Sequence, residues 1–358
     1  MTAVQTGAPP ARQWSLDVIR VVAVIGVVAI HVFAEMVANP VVRGTRGWWA
    51  AVVADIGFVW VVPVFVMISG ALVLAPRLHE SGPADFFRRR LPRLVIALLF
   101  WATFYVVIVR TIFSGVPLTR LALADLMLGG KPYTHLYFLW LIIGLYALAP
   151  VLAAFLRDGG RRRALTFAGV VLSATVLTGM SSSIFDGMGE SRPLTLLALT
   201  QWLPYVGYFL AGWALRNVFL KGVPLVAGIL ATGIALAAPI LQYGLRPTLS
   251  VLDAIAPVSY FGPIVAVASL GIFVCGNSLL AEWTPGPRTR RVLRELSDSA
   301  FGVFLVHFAI MVVLRTIEPF TAAGASFLLS AAEWGVVVLL SFGLVFLFRR
   351  VPGLRRVV

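Results

Sequence analysis

An arginine and a histidine share one face of the first apolar stretch of the chain. Arg20 and His31 are eleven residues apart within residues 16–37. Eleven residues make almost three turns of an α-helix, so both side chains project from one side, roughly 16 Å apart along the axis. Ionisable groups at such depth in an apolar segment are costly and mark functional sites. His31 is therefore our leading candidate for a catalytic group.

Further polar residues are expected at the depth of His31. Glu35 follows it by four residues on the same helix face, and a histidine with a carboxylate partner is the usual general base of enzymes. We predict His31 and Glu35 as the catalytic pair. The residues predicted to bind a substrate beside them are His135, Glu333 and Asp55. Each could instead be a satisfied polar group that hydrogen-bonds a neighbouring helix.

Basic residues dominate the opposite ends of the same segments. A run of three arginines at 88–90 is followed by Arg93, and Arg20 lies at a similar depth together with Asp17. Guanidinium groups match pairs of phosphate oxygens, so this cluster suits a phosphate-bearing ligand. The residues predicted to bind it are Arg20, Arg89, Arg90, Arg93 and Ser69, and Asp17 is a further site candidate. The same cluster could also serve only as a topology signal.

The two groups together indicate a transfer reaction that spans the protein. A carrier could bind its phosphates among the arginines and extend a thin arm towards His31. The span from Arg20 to His31 is comparable with the pantetheine arm of coenzyme A. The base would then activate an acceptor hydroxyl for attack on a thioester.

The composition predicts the elements that position these residues. The chain has 358 residues, of which 60% are hydrophobic and 12% charged, and its mean hydropathy is +0.95. Soluble domains are less apolar, so we predict an all-α, polytopic membrane protein. About ten segments approach the roughly 20 residues of a spanning helix. They are residues 16–37, 51–75, 92–113, 135–156, 164–180, 200–219, 223–243, 258–280, 300–316 and 326–348.

The distribution of charge predicts the orientation. The formal net charge is +14, and 20 of the 29 Lys and Arg residues lie in the segments on the side of the N-terminus, against 8 on the other side. This asymmetry places both termini in the cytoplasm and attributes the basicity to topology and anionic lipid, not to nucleic acid. We predict a flexible cytoplasmic tail at residues 1–13 and one membrane domain at residues 14–358, in the plasma membrane.

Several motifs resemble those of a known family. The run R-x3-L-D-x-I-R-x10-H, which ends at His31, resembles the opening helix of the acyltransferase type 3 family of membrane acyltransferases. So do PVFVMISGALVL at 63–74, RRRLPR at 88–93, HLYFLWLIIGLYALAPVL at 135–152 and SAFGVFLVHFAIM at 299–311. The resemblance covers nearly the whole chain in order and is weakest between residues 160 and 260.

The resemblance implies a function that agrees with the spacing argument. It implies an acyl-CoA donor, commonly acetyl-CoA, that enters from the cytoplasm, and an acceptor hydroxyl at the outer face. The likeness is closest to members that O-acetylate saccharides, so a saccharide or lipid-linked glycan is the expected acceptor. His31 would be catalytic, and Arg20, Arg90 and Arg93 would bind the donor or organise the site. The family's histidine near the end of the ninth segment corresponds to His307.

Two other functions remain open from the residues alone. A transporter or flippase for a lipid-linked or anionic substrate could line its path with the same polar groups. A non-catalytic protein that binds a lipid-linked sugar could use the arginines for its pyrophosphate. Four scattered histidines and one cysteine without HxxxH or CxxC spacing predict no metal site.

Overall fold

The chain is helical in this computed structural model, which describes residues 12–358. Within that range the α-helices are α1 (Trp14–Ala38), α2 (Arg46–Ile56), α3 (Val61–Val73), α4 (Pro83–Thr103), α5 (Arg120–Leu128), α6 (Tyr137–Arg157), α7 (Gly160–Gly187), α8 (Val206–Leu215), α9 (Val223–Gly244), α10 (Ser250–Ile255), α11 (Pro263–Leu279), α12 (Pro287–Leu314) and α13 (Phe327–Arg350). Of the predicted flexible tail, residues 1–11 lie outside the described part.

Eight helical segments within residues 12–358 are long and apolar enough to cross a membrane. The all-α, polytopic fold predicted from the sequence is thus confirmed. Two of the ten predicted spans are shorter than expected. The segment at 258–280 becomes α11, which has 17 residues. The segment at 200–219 contains a 3-10 turn at Leu203–Tyr205, with Pro204 inside it, and then the ten-residue α8.

Helix α1 is the element that carries both halves of the proposed site. It packs against α2, α3, α12 and α13, and most of its apolar side chains are buried. Arg20 Nη1 donates a hydrogen bond to Ser297 on α12, at 3.2 Å. The rings of His31 and His307, also on α12, have centroids 5.4 Å apart. One helix therefore contacts both ends of the Arg20–His31 face, as the eleven-residue spacing requires.

The second predicted span is one membrane segment with a break. Helix α2 ends at Ile56 and α3 begins at Val61. Pro63 lies in the first turn of α3, where its missing N–H leaves no hydrogen bond unmade. A straight helix through residue 59 would instead bring the proline ring against a carbonyl. The break sets Phe58 against α1 at Gly26, where a Cβ atom would overlap the ring.

Glycine allows α3 and α8 to approach closely. A Cβ atom on Gly70 of α3 would overlap the backbone oxygen of Phe209, and one on Gly212 of α8 would overlap that of Met67. Small residues at such crossings replace side-chain packing by backbone contact, which is a common way to join helices in lipid. This contact fixes α3, whose Ser69 faces the cavity described below.

Tyr105 bonds helix α12 near His307. Beyond α4, the chain continues as a π-helical segment at Phe104–Phe113. The Tyr105 hydroxyl donates to the backbone oxygen of Leu305 at 2.7 Å and accepts from the N–H of Ala309 at 3.1 Å. Those two backbone groups are four residues apart, so the hydroxyl bridges one turn of α12. π-Helical turns such as the one that carries Tyr105 often occur at functional sites.

Candidate active site

A cavity of about 1010 Å³ lies at the end of the bundle where α1 and α4 begin and α13 ends. We call it the inner cavity. Among the described residues, Asp298 is the one acidic side chain that lines it. Its basic residues are Arg20, Arg89, Arg90, Arg93, Arg349, Arg355 and Arg356. Ser69, predicted to lie at the ligand, lines it as well. So much positive charge around an open volume attracts an anion.

Arg20 is free to bind a ligand because its acidic neighbour is already paired. Asp17 is 5% exposed and accepts two hydrogen bonds from Arg12, at 2.6 and 2.8 Å, and one from Ser297, at 2.6 Å. The hydrogen bonds that Arg12 donates to Asp17 raise the pKa of Arg12. Within residues 12–358, Arg20 forms no ion pair, and its one side-chain hydrogen bond goes to the Ser297 hydroxyl. Its remaining donors can serve phosphate oxygens.

Three histidines converge at the other end of α1. The ring centroids lie 5.0 Å apart for His135 and His307, 5.4 Å for His31 and His307, and 6.5 Å for His31 and His135. His135 and His307 are buried, whereas His31 is partly exposed. His31 and His135, which are predicted to lie at the same depth, are thus also close together. Of the three, His31 is the least buried.

Two of these histidines have nitrogen atoms without a partner. His307 Nδ1 lies 2.8 Å from the carbonyl oxygen of Phe304, which can only accept, so Nδ1 carries the proton. His307 Nε2 is then a bare acceptor, buried and without a hydrogen bond. Neutral His135 has one N–H and one bare nitrogen, and both are likewise buried without a partner among residues 12–358. Buried polar atoms are normally satisfied, so these three point to a polar ligand that the site is built to receive.

The inner cavity ends about one helical turn below His31. Its far end is lined by Val27 of α1, Phe138 of α6 and Phe304 of α12. Val27 lies four residues before His31, which is about 6 Å along the helix axis. The three histidines do not line the cavity. The Phe304 side chain lines the cavity and also lies beside the histidines, with its ring centroid 5.3 Å from that of His135.

The sequence itself matches one family model. The family, described as an acyltransferase domain of the acyltransferase 3 type, matches residues 13–350. The chain belongs to the acyltransferase 3 family. It is therefore a membrane acyltransferase, which requires an acyl donor and an acceptor. No match was found among curated proteins or among solved structures.

The arginine run of the acyltransferase divides between two environments. Asp85 accepts from Arg88 at 3.2 Å and from Arg89 at 2.6 Å. Arg88 is 80% exposed at its side chain and does not line the inner cavity, whereas Arg89, Arg90 and Arg93 do. Arg93 Nη2 also donates to the backbone oxygen of Val358, at 2.8 Å. Three of the four arginines are thus placed where the sequence analysis expects a phosphate-bearing ligand.

The end of the described chain supplies cavity residues that the sequence analysis missed. Arg349 closes α13, and a 3-10 turn at Leu354–Arg356 folds back so that Arg355 and Arg356 line the cavity. Val357 anchors this turn, because its carbonyl accepts from Trp101 Nε1 at 2.7 Å. The sequence does show two arginine pairs here, at 349–350 and 355–356. Such pairs also commonly follow the last membrane span on its cytoplasmic side, so they do not by themselves indicate a binding site.

Glu35 contacts an arginine and not His31. Its carboxylate lies 2.8 Å from Arg315 Nη1, and no hydrogen bond joins it to His31 within residues 12–358. Arg315 also bonds Glu333, which is fully buried, at 2.7 Å. An arginine offers a carboxylate a stronger, charge-assisted bond than a neutral imidazole does. The predicted His31–Glu35 pair is therefore not formed, and Glu35 is paired instead with Arg315, which the sequence analysis does not single out.

Of the residues predicted to bind a substrate, two lie close to other predicted site residues and one does not. Glu333 joins Glu35 through Arg315, and His135 joins His31. Asp55 is buried near the end of α2, and no hydrogen bond or ion pair links it to these groups in the described chain. The three histidines are close, yet no group of three His, Cys, Asp or Glu side chains within residues 12–358 is placed to hold a metal ion.

Proposed function

We propose that this acyltransferase moves an acyl group, acetyl above all, from acyl-CoA on the cytoplasmic side to a hydroxyl group at the outer face. The acceptor class we propose is a saccharide or a lipid-linked glycan in the plasma membrane. The observation that carries the proposal is the course of the inner cavity. It starts among seven arginines and ends one helical turn from His31.

The donor would bind with its phosphates among the cavity arginines. Coenzyme A carries a pyrophosphate and a further phosphate, and guanidinium forks bind such oxygens in pairs. The pantetheine arm would follow α1 upward, past Ser69 and Val27, whose side chains line the cavity. Binding energy from the distant phosphates would position the thioester against His31.

His31 would act as the general base. It takes the proton of the acceptor hydroxyl as that oxygen attacks the thioester carbon. The new carbon–oxygen bond forms, the carbon–sulfur bond breaks, and the proton passes from His31 to the thiolate that leaves. His31 suits this role because it is the least buried of the three histidines, so we assign the approach of the acceptor to it.

The neighbouring residues would support that step in two ways. His135 has one N–H and, within residues 12–358, no partner for it, so it can donate to the thioester oxygen as negative charge develops there. Arg315 donates to the backbone oxygen of Val32 at 3.1 Å, next to His31. Glu35 and Glu333, which hold Arg315, would thus position the outer end of α1 without touching the substrates.

Thiol release tests the reaction. The purified protein is mixed with acetyl-CoA labelled in the acetyl group, and membranes of a strain that lacks the gene supply the acceptor. We expect free thiol and labelled membrane glycan to appear together. His31→Ala should slow both by at least about 100-fold, the lower range for loss of a general base. His79→Ala is the matched control, because His79 stacks on Phe86 outside the inner cavity.

Two outcomes would contradict the proposal. Wild-type protein that binds acetyl-CoA yet releases no thiol with these membranes is not the enzyme proposed. A folded His31→Ala protein with full activity would remove His31 from the mechanism. Mass spectrometry of envelope glycans from cells with and without the gene identifies the acceptor, and unchanged ester content would exclude a saccharide. Uptake of a lipid-linked sugar without thiol release would instead favour a transporter.

A further inference from the structure

Phe304 stands at the boundary between the inner cavity and the histidines. Its ring lines the cavity on one side, and its centroid lies 5.3 Å from that of His135 and 6.2 Å from that of His307. Phe138, also at the cavity end, packs on it with centroids 5.2 Å apart. The side chain is 7% exposed. A thioester that reaches His31 from the cavity must therefore pass this ring.

The space beyond Phe304 is walled by aromatic rings on several sides. Phe308 lies 4.6 Å from His31 and stacks on His135 at 4.9 Å, measured between ring centroids. Tyr133 packs edge-on against Phe308 at 5.2 Å. Phe308 is 8% exposed and His135 is 1% exposed. A hydrocarbon chain that continued into this space would have to displace these buried rings.

The same space holds polar atoms that lack partners. Both nitrogens of His135 and Nε2 of His307 are buried without hydrogen bonds among residues 12–358. A carbonyl oxygen can accept from the one N–H of His135, and an acceptor hydroxyl can donate to a bare ring nitrogen, whereas a methylene chain satisfies none of these atoms. The enclosure therefore favours a small polar ligand that carries little hydrocarbon.

We propose that Phe304, with Phe308, forms an acyl pocket that admits acetyl and excludes longer acyl groups. This inference rests on the proposed function, since it concerns the group that the donor delivers. The acyl carbon lies at His31 when the acceptor oxygen bonds to it and the sulfur leaves. Its alkyl substituent then occupies the space against Phe304 and Phe308. Acetyl places one methyl group there, and each added methylene must fit against the same two buried rings at a cost in packing energy.

Comparison of donors tests the acyl pocket. Purified protein receives acetyl-CoA, butyryl-CoA or octanoyl-CoA at equal concentration, and thiol release is followed with membranes of the deletion strain as acceptor. We expect the wild-type rate with butyryl-CoA to fall at least about tenfold below that with acetyl-CoA, in the range that methylene discrimination reaches. Octanoyl-CoA should be inert. Phe304→Ala should raise the butyryl-to-acetyl ratio by at least about tenfold.

Two further variants distinguish a change in acyl selectivity from a loss of folding and from a loss of donor binding. Phe304→Leu removes less volume and should raise the ratio to an intermediate value, even if the alanine protein is unstable. Phe301→Ala alters a ring that also lines the inner cavity, one turn earlier on α12 and 5.8 Å from Arg93. It should change the rates with all donors by the same factor and leave the ratio as in wild type.

Different results would contradict the acyl pocket and the proposed function. Equal wild-type rates with acetyl-CoA and octanoyl-CoA would overturn the acyl pocket while supporting acyl transfer. A folded Phe304→Leu protein with an unchanged ratio would overturn it as well. Absence of thiol release from every donor would instead remove the proposed function, and the acyl pocket with it.

Discussion

A single guanidinium holds three helices together at the outer end of the bundle. Arg315, just beyond α12, bonds Glu35 of α1 and Glu333 of α13. Its third contact is the backbone oxygen of Val32, one residue after His31. Glu333 is fully buried, so its charge depends on this one arginine. A buried carboxylate is tolerated only when its partner is present.

Removal of Arg315 should therefore destabilise the fold. Arg315→Met keeps an unbranched chain but leaves Glu333 unpaired, and we expect the free energy of unfolding to fall by about 3–5 kcal/mol. Thermal melting of the purified protein, followed by circular dichroism, measures the loss. Adding Glu333→Gln should restore part of it, since no unpaired charge then remains. Lys221→Met is the control, because it breaks an exposed pair with Glu282 and should not change the melting temperature. A single Arg315 variant as stable as wild type would contradict the account.

At the scale of elements, the Tyr105 hydroxyl ties the π-helical segment after α4 to α12 beside the histidines. It donates to the backbone oxygen of Leu305 and accepts from the N–H of Ala309. His307 and Phe308 lie between those two residues on α12. One hydroxyl thus holds the turn of α12 that carries both side chains.

Tyr105→Phe should separate activity from stability. Without the hydroxyl, α12 loses two hydrogen bonds to the π-helical segment, and we expect the free energy of unfolding to fall by about 1 kcal/mol. His307 and Phe308 are then held less firmly, and thiol release should fall by about tenfold or more, because a small misplacement of reacting groups is costly. Tyr208→Phe is the matched control, since its hydroxyl donates to the backbone oxygen of Tyr260 at 3.1 Å and forms no hydrogen bond with α12 in the described chain. Full activity of Tyr105→Phe would show that the bridge to α12 is not needed.

Hydropathy predicts where most helices lie but not how they break or end. The apolar run at 164–180 marks α7, yet that helix extends through polar residues to Gly160–Gly187, because helix geometry does not stop where apolarity does. The break before Pro63 and the π-helical segment depend on contacts with distant helices.

The candidate site is likewise predictable only in part from the local sequence. The Arg20–His31 face follows from local spacing, whereas the pairing of Glu35 depends on Arg315, 280 positions along the chain, which no local pattern can reveal.

At the scale of the whole molecule, basic charge is concentrated at one end of the bundle. Within residues 12–358, the inner cavity gathers arginines from α1, α4, α13 and the final 3-10 turn around the Asp298 side chain. At the histidine end of the described chain, Arg315 is instead balanced by two glutamates. Under the proposed function, this charge pattern would draw the phosphates of the donor to the inner end and leave its uncharged thioester towards the outer end. It would thus orient one elongated ligand within the bundle.

The 3-10 turn at Leu354–Arg356 allows the role of the basic charge around the inner cavity to be tested. Arg355 and Arg356 line the inner cavity without lying on a membrane helix. Replacing both with alanine should weaken CoA binding by about tenfold or more, because a hydrogen bond to a charged group contributes about 1.5–3 kcal/mol. Isothermal titration calorimetry gives the Kd. Arg88→Ala is the control, since Arg88 is equally basic but points away from the cavity, and its Kd should match wild type. The wild-type Kd should also rise with added salt, and the double variant should respond less steeply, because fewer charges are there to be screened. Equal affinity in all three proteins would mean that the final turn does not contact the donor.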